Sequence, residues 1–223
     1  LGDINADGYD DFMSGNSGEI YFGRSNLGSG FNQSASGLGT AVDLGNYNRI
    51  ANLGDVDGNG ISDFMVSNDS GANNYIVYGA TNATSWTAPS SWVSGAASGS
   101  TPGLTKILSE AGITLNGAFS SLGDINGDGN SDILISAYGG NDPNDFNAKN
   151  NGGLYVVFGR KDQWSNVDLS LSNLATNRLG FKITGAVDYD LAGQFSWTGV
   201  GDMNGDGLDD FIFQSPGDEE AGN

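Results

Sequence analysis

One nine-residue pattern occurs four times in this chain and restricts it to folds that can place such a turn at a strand boundary. The copies start at Asp3 (DINADGYDD), Asp55 (DVDGNGISD), Asp124 (DINGDGNSD) and Asp202 (DMNGDGLDD). Each runs straight into an apolar stretch: DFMSG, DFMVS, DILIS or DFIFQ. The starts are 52, 69 and 78 residues apart, a range that belongs to propeller or solenoid units with insertions of variable length.

The flanks repeat as well. RIANLGD, AFSSLGD and FSWTGVGD lead into the second, third and fourth copies. GEIYFG (18–23), NYIVYG (74–79) and GGLYVVFG (152–159) follow the first three, each stopping at a glycine. GFKITGA (180–186) closes the third unit, and GITLNGA (112–118) reads as its counterpart one unit earlier. A full unit is therefore strand, acidic loop, strand, loop, strand, loop, strand. Short runs of β-branched and aromatic residues suit strands buried on both faces, and four antiparallel strands make one propeller blade. The predicted fold class is all-β. Thirty-seven glycines agree with a turn-rich chain. LTKILSEAG (104–112) has helical spacing and is expected as a turn or two of helix within an insertion at 81–111. The Ser/Gly/Trp-rich stretch 81–103 reads as a surface loop.

Oxygen-bearing side chains fall at positions 1, 3, 5 and 9 of each loop. They are Asp3, Asn5, Asp7 and Asp11; Asp55, Asp57, Asn59 and Asp63; Asp124, Asn126, Asp128 and Asp132; Asp202, Asn204, Asp206 and Asp210. The backbone carbonyl of position 7 points inward in loops of this kind, which adds Tyr9, Ile61, Asn130 and Leu208. Glycine at position 6 allows a sharp turn. Carboxylate, amide and carbonyl oxygens are the donors of a calcium site. Without a cation, such carboxylates repel one another or take up protons. The loops hold fourteen of the chain's 27 acids, and four Ca²⁺ ions would reduce the formal charge of −19 to −11. In the second loop Asn59 replaces the acid at position 5, so a lower affinity is expected there.

Other calcium loops fit less well. An EF-hand needs a glutamate at position 12 and flanking helices, whereas position 12 here is Ser14, Val66, Ile135 or Phe213. Dockerin-type loops lead into a helix, thrombospondin type 3 repeats need cysteines, and the RTX nonapeptide does not recur.

These residues resemble the FG-GAP repeats of the integrin α-subunit β-propeller and its bacterial relatives. The resemblance is carried by GFKITGA, FSWTGVGDMNGDGLDDFIFQSPGD and GGLYVVFG. The family pattern D-x-[DN]-x-D-G-x-x-D is met fully by loops three and four, and loop one, with Ala6 before Asp7-Gly8, also fits. The resemblance spans most of the chain outside 81–111. It implies a β-propeller, usually of seven blades, of which residues 1–223 would hold about three and a half. The chain then reads as a fragment that continues into further blades. In this family the calcium ions brace the loops of one face, while binding uses loops elsewhere.

Composition narrows the function. With no cysteine and no histidine, disulfides, thiolate metal sites, the usual general base and the usual zinc ligand are all excluded. A net charge of −19 disfavours nucleic acid, and no stretch is apolar enough to insert in a membrane. Asp188, Asp190, Asp218, Glu219 and Glu220 show no spacing that marks a glycosidase pair. Trp86, Trp92 and Trp164 sit in loop-like contexts that suit sugar stacking or, more plainly, loop anchoring, and Trp197 suits a core. Asn32, Asn68 and Asn82 begin glycosylation sequons. The expectation is a non-catalytic, calcium-stabilised module (up to four Ca²⁺) of a secreted or cell-surface protein, with a protein or glycan ligand. The alternative is an accessory region of a secreted hydrolase or lyase.

Overall fold

The structure is a computed structural model that describes residues 1–14, 19–25, 42–44, 47–68, 73–81, 104–109, 115, 118–137, 152–161, 164, 167–186 and 189–216. Four sheets follow one another along the chain. The first holds β1 (Phe12–Ser14), β2 (Glu19–Tyr21) and β3 (Val42–Asp43), in that order. The second is the meander β4 (Tyr47–Gly54), β5 (Asp63–Asn68), β6 (Asn74–Val77) and β7 (Leu104–Leu108). The third begins with β8 (Phe119–Gly123), β9 (Asp132–Ser136) and β10 (Gly153–Val157). The chain then leaves through β11 (Val167–Asp168) and helix α1 (Leu171–Asn177), and returns as β12 (Gly180–Thr184) to complete the third sheet. β13 (Trp197–Gly201) and β14 (Asp210–Phe213) form the last pair.

Side-chain alternation explains the stacking. In a strand, successive side chains point to opposite faces. Phe64, Val66, Tyr75 and Val77 join Ile4 and Ile20 in a core between the first and second sheets. Their neighbours Met65 and Ile76 point the other way, into a core shared with Ile133, Ile135, Tyr155 and Val157 of the third sheet. Leu134, Leu154 and Val156 face Trp197 and Phe211 of the fourth. Sheets buried on both faces, with β8 set against both β4 and β13, form a partial β-propeller. Each fully buried aliphatic or aromatic side chain contributes roughly 1.5–3 kcal/mol.

The last pair breaks this pattern. Met65 and Leu134 are 0% exposed, whereas Ile212, at the equivalent position, is 55% exposed. Phe213 is 40% exposed, against 0% for Val66 and Ile135.

Two expectations are corrected. Leu104–Leu108 is a strand, antiparallel to β6 in the register Asn74↔Ile107 to Val77↔Leu104, and not a helical turn. Its alternating burial follows Thr105 and Ile107 inward, a two-residue period that outweighs the helical spacing of the wider window. This strand, and not 112–118, is the counterpart of β12, so the segment read as an insertion supplies a strand to the second sheet. Most of 112–118 and of the loop read at 81–103 lie outside the described residues. For Trp164 the plainer of the two readings, loop anchoring, is the one the structure bears out: it is 6% exposed within the core. Its indole N–H donates to the Arg160 carbonyl at 3.2 Å, and the Arg160 guanidinium lies 4.6 Å from its ring centroid.

Candidate metal centre

All four loops fold by the same local hydrogen bonds, and the residue types dictate them. The carboxylate at position 1 accepts the backbone N–H groups of positions 5 and 6. In the second loop these are Asn59 to Asp55 Oδ1 at 3.0 Å and Gly60 to Asp55 Oδ2 at 2.7 Å. In the fourth they are Asp206 and Gly207 to Asp202, at 3.2 and 2.8 Å. Position 3 accepts the N–H of position 5, as at Asn126 Oδ1 from Asp128 (2.9 Å). Position 5 accepts that of position 7, as at Asp7 Oδ1 from Tyr9 (2.9 Å). Short Asp and Asn side chains are suited to such turns. The chain curls around its own oxygens, with φ near +90° at position 6 (Gly8 +89°, Gly60 +85°, Gly129 +90°, Gly207 +90°). Position 4 is also left-handed, and loop one fills it with Ala6 at φ 57°. A non-glycine residue there costs roughly 1–2 kcal/mol.

Position 9 is the least exposed acid of each of the first three loops, and burial alone does not fix its purpose. Asp63 accepts Val56 N–H on Oδ2 and Gly79 N–H on Oδ1, both at 2.8 Å. Asp11 does the same for Ile4 and Gly23 (2.9 and 2.7 Å), and Asp132 for Ile125 and Gly159 (2.9 and 2.8 Å). The glycine is the stop residue after the second apolar run. It lies so close to the loop that a Cβ at Gly79 or Gly159 would collide with the carbonyl of Ser62 or Ser131. One aspartate thus fastens the loop to the third strand of its own sheet. The sequence reading missed this tether, although the glycine stop in three units was its signal. Asp210 receives Met203 N–H at 2.9 Å in the same way.

Among the described residues, three carboxylates converge only in the second loop; in the other three the hydrogen bonds shape the turn around positions 1, 3 and 5 without bringing their acids into such a group. Asp55, Asp57 and Asp63 each present an oxygen within 4.8 Å of the others. The neutral Asn59 therefore does not leave this loop poorer in charge: it and Asp57 exchange the acid and amide places that Asp128 and Asn126 hold in loop three. Electrostatics follows burial. Desolvation pushes Asp63 and Asp132 up to about 7, against the pull of their backbone N–H bonds. Burial also raises Asp57 and Asp11. The exposed Asp202 is lowered, chiefly by the N–H of Gly207 and then Gly205. The donors are all carboxylate, amide and carbonyl oxygens, with no sulfur or imidazole, and so fit a hard divalent cation.

These shifts set a pH dependence. Asp63 and Asp132 titrate near 7 when folded, against about 3.9 when unfolded. Their contribution to the ion-free fold is therefore complete below about pH 4 and is lost as pH rises through 7. Ion-free protein should melt higher at about pH 5 than at about pH 8. The increment added by a bound cation should change oppositely, because protons compete for the same oxygens. Melting curves of chelated and dialysed protein check this, and an ion-free melting temperature that climbs from pH 5 to pH 8 would refute it.

Among other candidates, Asp190 is engaged through its carboxylate by the Ala186 N–H. Asn68 ends β5. Trp86, Trp92, Asn32, Asn82, Asp188, Asp218, Glu219 and Glu220 lie outside the described residues. Trp197 packs half-buried against the third core cluster.

A partial β-propeller with an aspartate-rich turn between the first two strands of its blades defines the structural class. Residues 116–157 match the family model of the FG-GAP repeat. That stretch takes in the third loop with β8, β9 and β10, so the chain carries an FG-GAP repeat there, and the other three loops reproduce its pattern. A comparison with curated proteins found no match. Among the described residues, no helix is long and apolar enough to cross a membrane.

Proposed function

We propose that this chain is a calcium-stabilised, non-catalytic binding or structural module of a larger extracellular or cell-surface protein. The observation that carries this reading is the Asp55, Asp57 and Asp63 cluster, in which three like charges, two of them buried, share one turn and Asp63 is pushed up to about 7 without a cation. A divalent ion converts that repulsion into attraction. The residues that would hold it are positions 1, 3, 5 and 9 of each loop together with the carbonyls of Tyr9, Ile61, Asn130 and Leu208. Hard oxygens in a flexible turn suit Ca²⁺ better than Mg²⁺, which demands near-ideal octahedral geometry. Weak calcium loops stay filled at extracellular concentrations, and FG-GAP repeats typically occur in extracellular proteins. The ligand, a protein or glycan, would then use the propeller away from these loops.

Equilibrium dialysis against calcium tests the reading directly. Saturable uptake of several ions per chain, poorly displaced by equimolar magnesium, is expected. Uptake of no calcium at millimolar concentration would end it.

A further inference from the structure

The four loops are stitched to one another. In three consecutive pairs, the backbone N–H of position 8 donates to the position 1 carbonyl of the preceding loop: Ser62 to Asp3 at 3.4 Å, Ser131 to Asp55 at 2.8 Å and Asp209 to Asp124 at 3.0 Å. Two further bonds join the residue after each glycine stop to position 2 of the preceding loop, Ala80 to Ile4 at 3.1 Å and Arg160 to Val56 at 2.9 Å. Position 8 is serine in the second and third loops. In the fourth it is Asp209, whose carboxylate Oδ2 accepts the N–H of Asp124 at 2.8 Å. The space that a side chain at Gly123 would need is filled by that carboxylate. Asp124 is therefore gripped on both its N–H and its C=O by one residue of the next loop. Its own carboxylate meanwhile gathers the N–H groups of Gly127, Asp128 and Gly129 at 2.8, 3.0 and 2.9 Å.

We propose that the third and fourth loops bind cations as a coupled pair, with Asp209 as the positioning residue that carries the coupling between them. This rests on the calcium reading above. An ion in the fourth loop draws in Asp202 and Asp210 and so immobilises Asp209, the residue between the loop and its last acid. With Asp209 fixed, Asp124 is already oriented when the third loop meets its own ion, and the ordering cost is not incurred twice. By linkage the effect is mutual. The Asp209 charge also draws a cation toward the third loop, a contribution separable from positioning because an asparagine keeps the acceptor oxygen and loses the charge.

The test is a calcium titration of the 223-residue chain, followed by amide NMR. Gly127 and Gly129 report on the third loop, and Gly205 and Gly207 on the fourth, since their N–H groups bond the position 1 carboxylates. Asp206→Asn, which weakens the fourth loop, should raise the midpoint of the third by about fivefold or more. In an Asp209→Ala background that response should vanish. Asp209→Ser, which installs the residue of the second and third loops, should behave likewise if the alanine variant folds poorly. Asp209→Asn should keep the response with a weaker third loop throughout. Asp10→Ala, the same position in the first loop, should leave it unchanged. A third-loop midpoint that ignores Asp206→Asn, or responds equally without the Asp209 side chain, overturns the coupling while leaving calcium binding intact. If no glycine amide moves, the calcium reading falls and this inference with it.

Discussion

Removal of calcium is expected to lower the melting temperature by tens of degrees. An ion that binds only the folded chain stabilises it by about 2.7 kcal/mol at a hundredfold excess over its dissociation constant. For a chain of this size, each kcal/mol moves the midpoint by roughly 2–4 °C. One filled loop therefore predicts a shift of about 5–10 °C, and four filled loops one of roughly 20–40 °C. The size of the drop on adding EGTA, measured by scanning calorimetry, counts the filled loops. Readded Ca²⁺ should restore the midpoint and Mg²⁺ should do so poorly. A midpoint that ignores EGTA would leave fourteen clustered acids without a counter-charge and would return the loops to the status of turns.

The second large effect concerns Asp63 in the absence of calcium. If this residue served only as a ligand, its removal from ion-free protein would relieve repulsion and stabilise the fold. The structure predicts the opposite. Asp63→Ala strips the acceptor from the Val56 and Gly79 N–H groups, which lie within the core-facing tether. Each buried donor left unpaired costs about 1–3 kcal/mol, so the loss of both should be roughly 2–6 kcal/mol even with calcium chelated. Asp63→Asn retains one acceptor and should cost about half as much. Asp57→Asn keeps the oxygen that receives Asn59 N–H at 3.2 Å, and should alter ion-free stability little while weakening calcium uptake. Urea unfolding in EGTA distinguishes these variants. An Asp63→Ala chain as stable as its parent under those conditions would mean that the tether has no energetic weight.

Much of the fold was legible because strands buried on both faces leave unbroken apolar runs beside a fixed turn pattern. DILIS and GLYVV could be placed before any coordinates, since nothing else accounts for such runs between glycine stops. Leu104–Leu108 was misread because Leu104, Ile107 and Leu108 mimic helical spacing in a window whose true length is only five residues. Helix α1 gave no signal: its seven residues are rich in Ser and Asn and present Leu174 as the buried anchor. Within the loops, residue types at positions 1, 3, 5 and 9 announced an oxygen-lined turn. The second duty of position 9 needed coordinates, because Gly23, Gly79 and Gly159 follow it at three different distances along the chain. Asp209 was hidden for a related reason, since its partner Asp124 lies 85 residues away.

The excursion between β10 and β12 has a mechanical consequence. β11 leaves the third sheet and pairs in parallel with β7 of the second, through Val167↔Ile107 and Asp168↔Leu108, and Leu169 N–H adds a bond to Leu108 at 3.0 Å. Trp164 bolts the same segment down: Thr105 donates its hydroxyl to the Trp164 carbonyl at 2.6 Å, and Trp164 N–H reaches the Tyr78 hydroxyl at 3.2 Å. A plain meander pulled from its ends peels off one sheet at a time. Here the later sheet throws a strap over the β7 edge of the earlier one, so β7 is held on both sides and that edge must shear the strap before it opens.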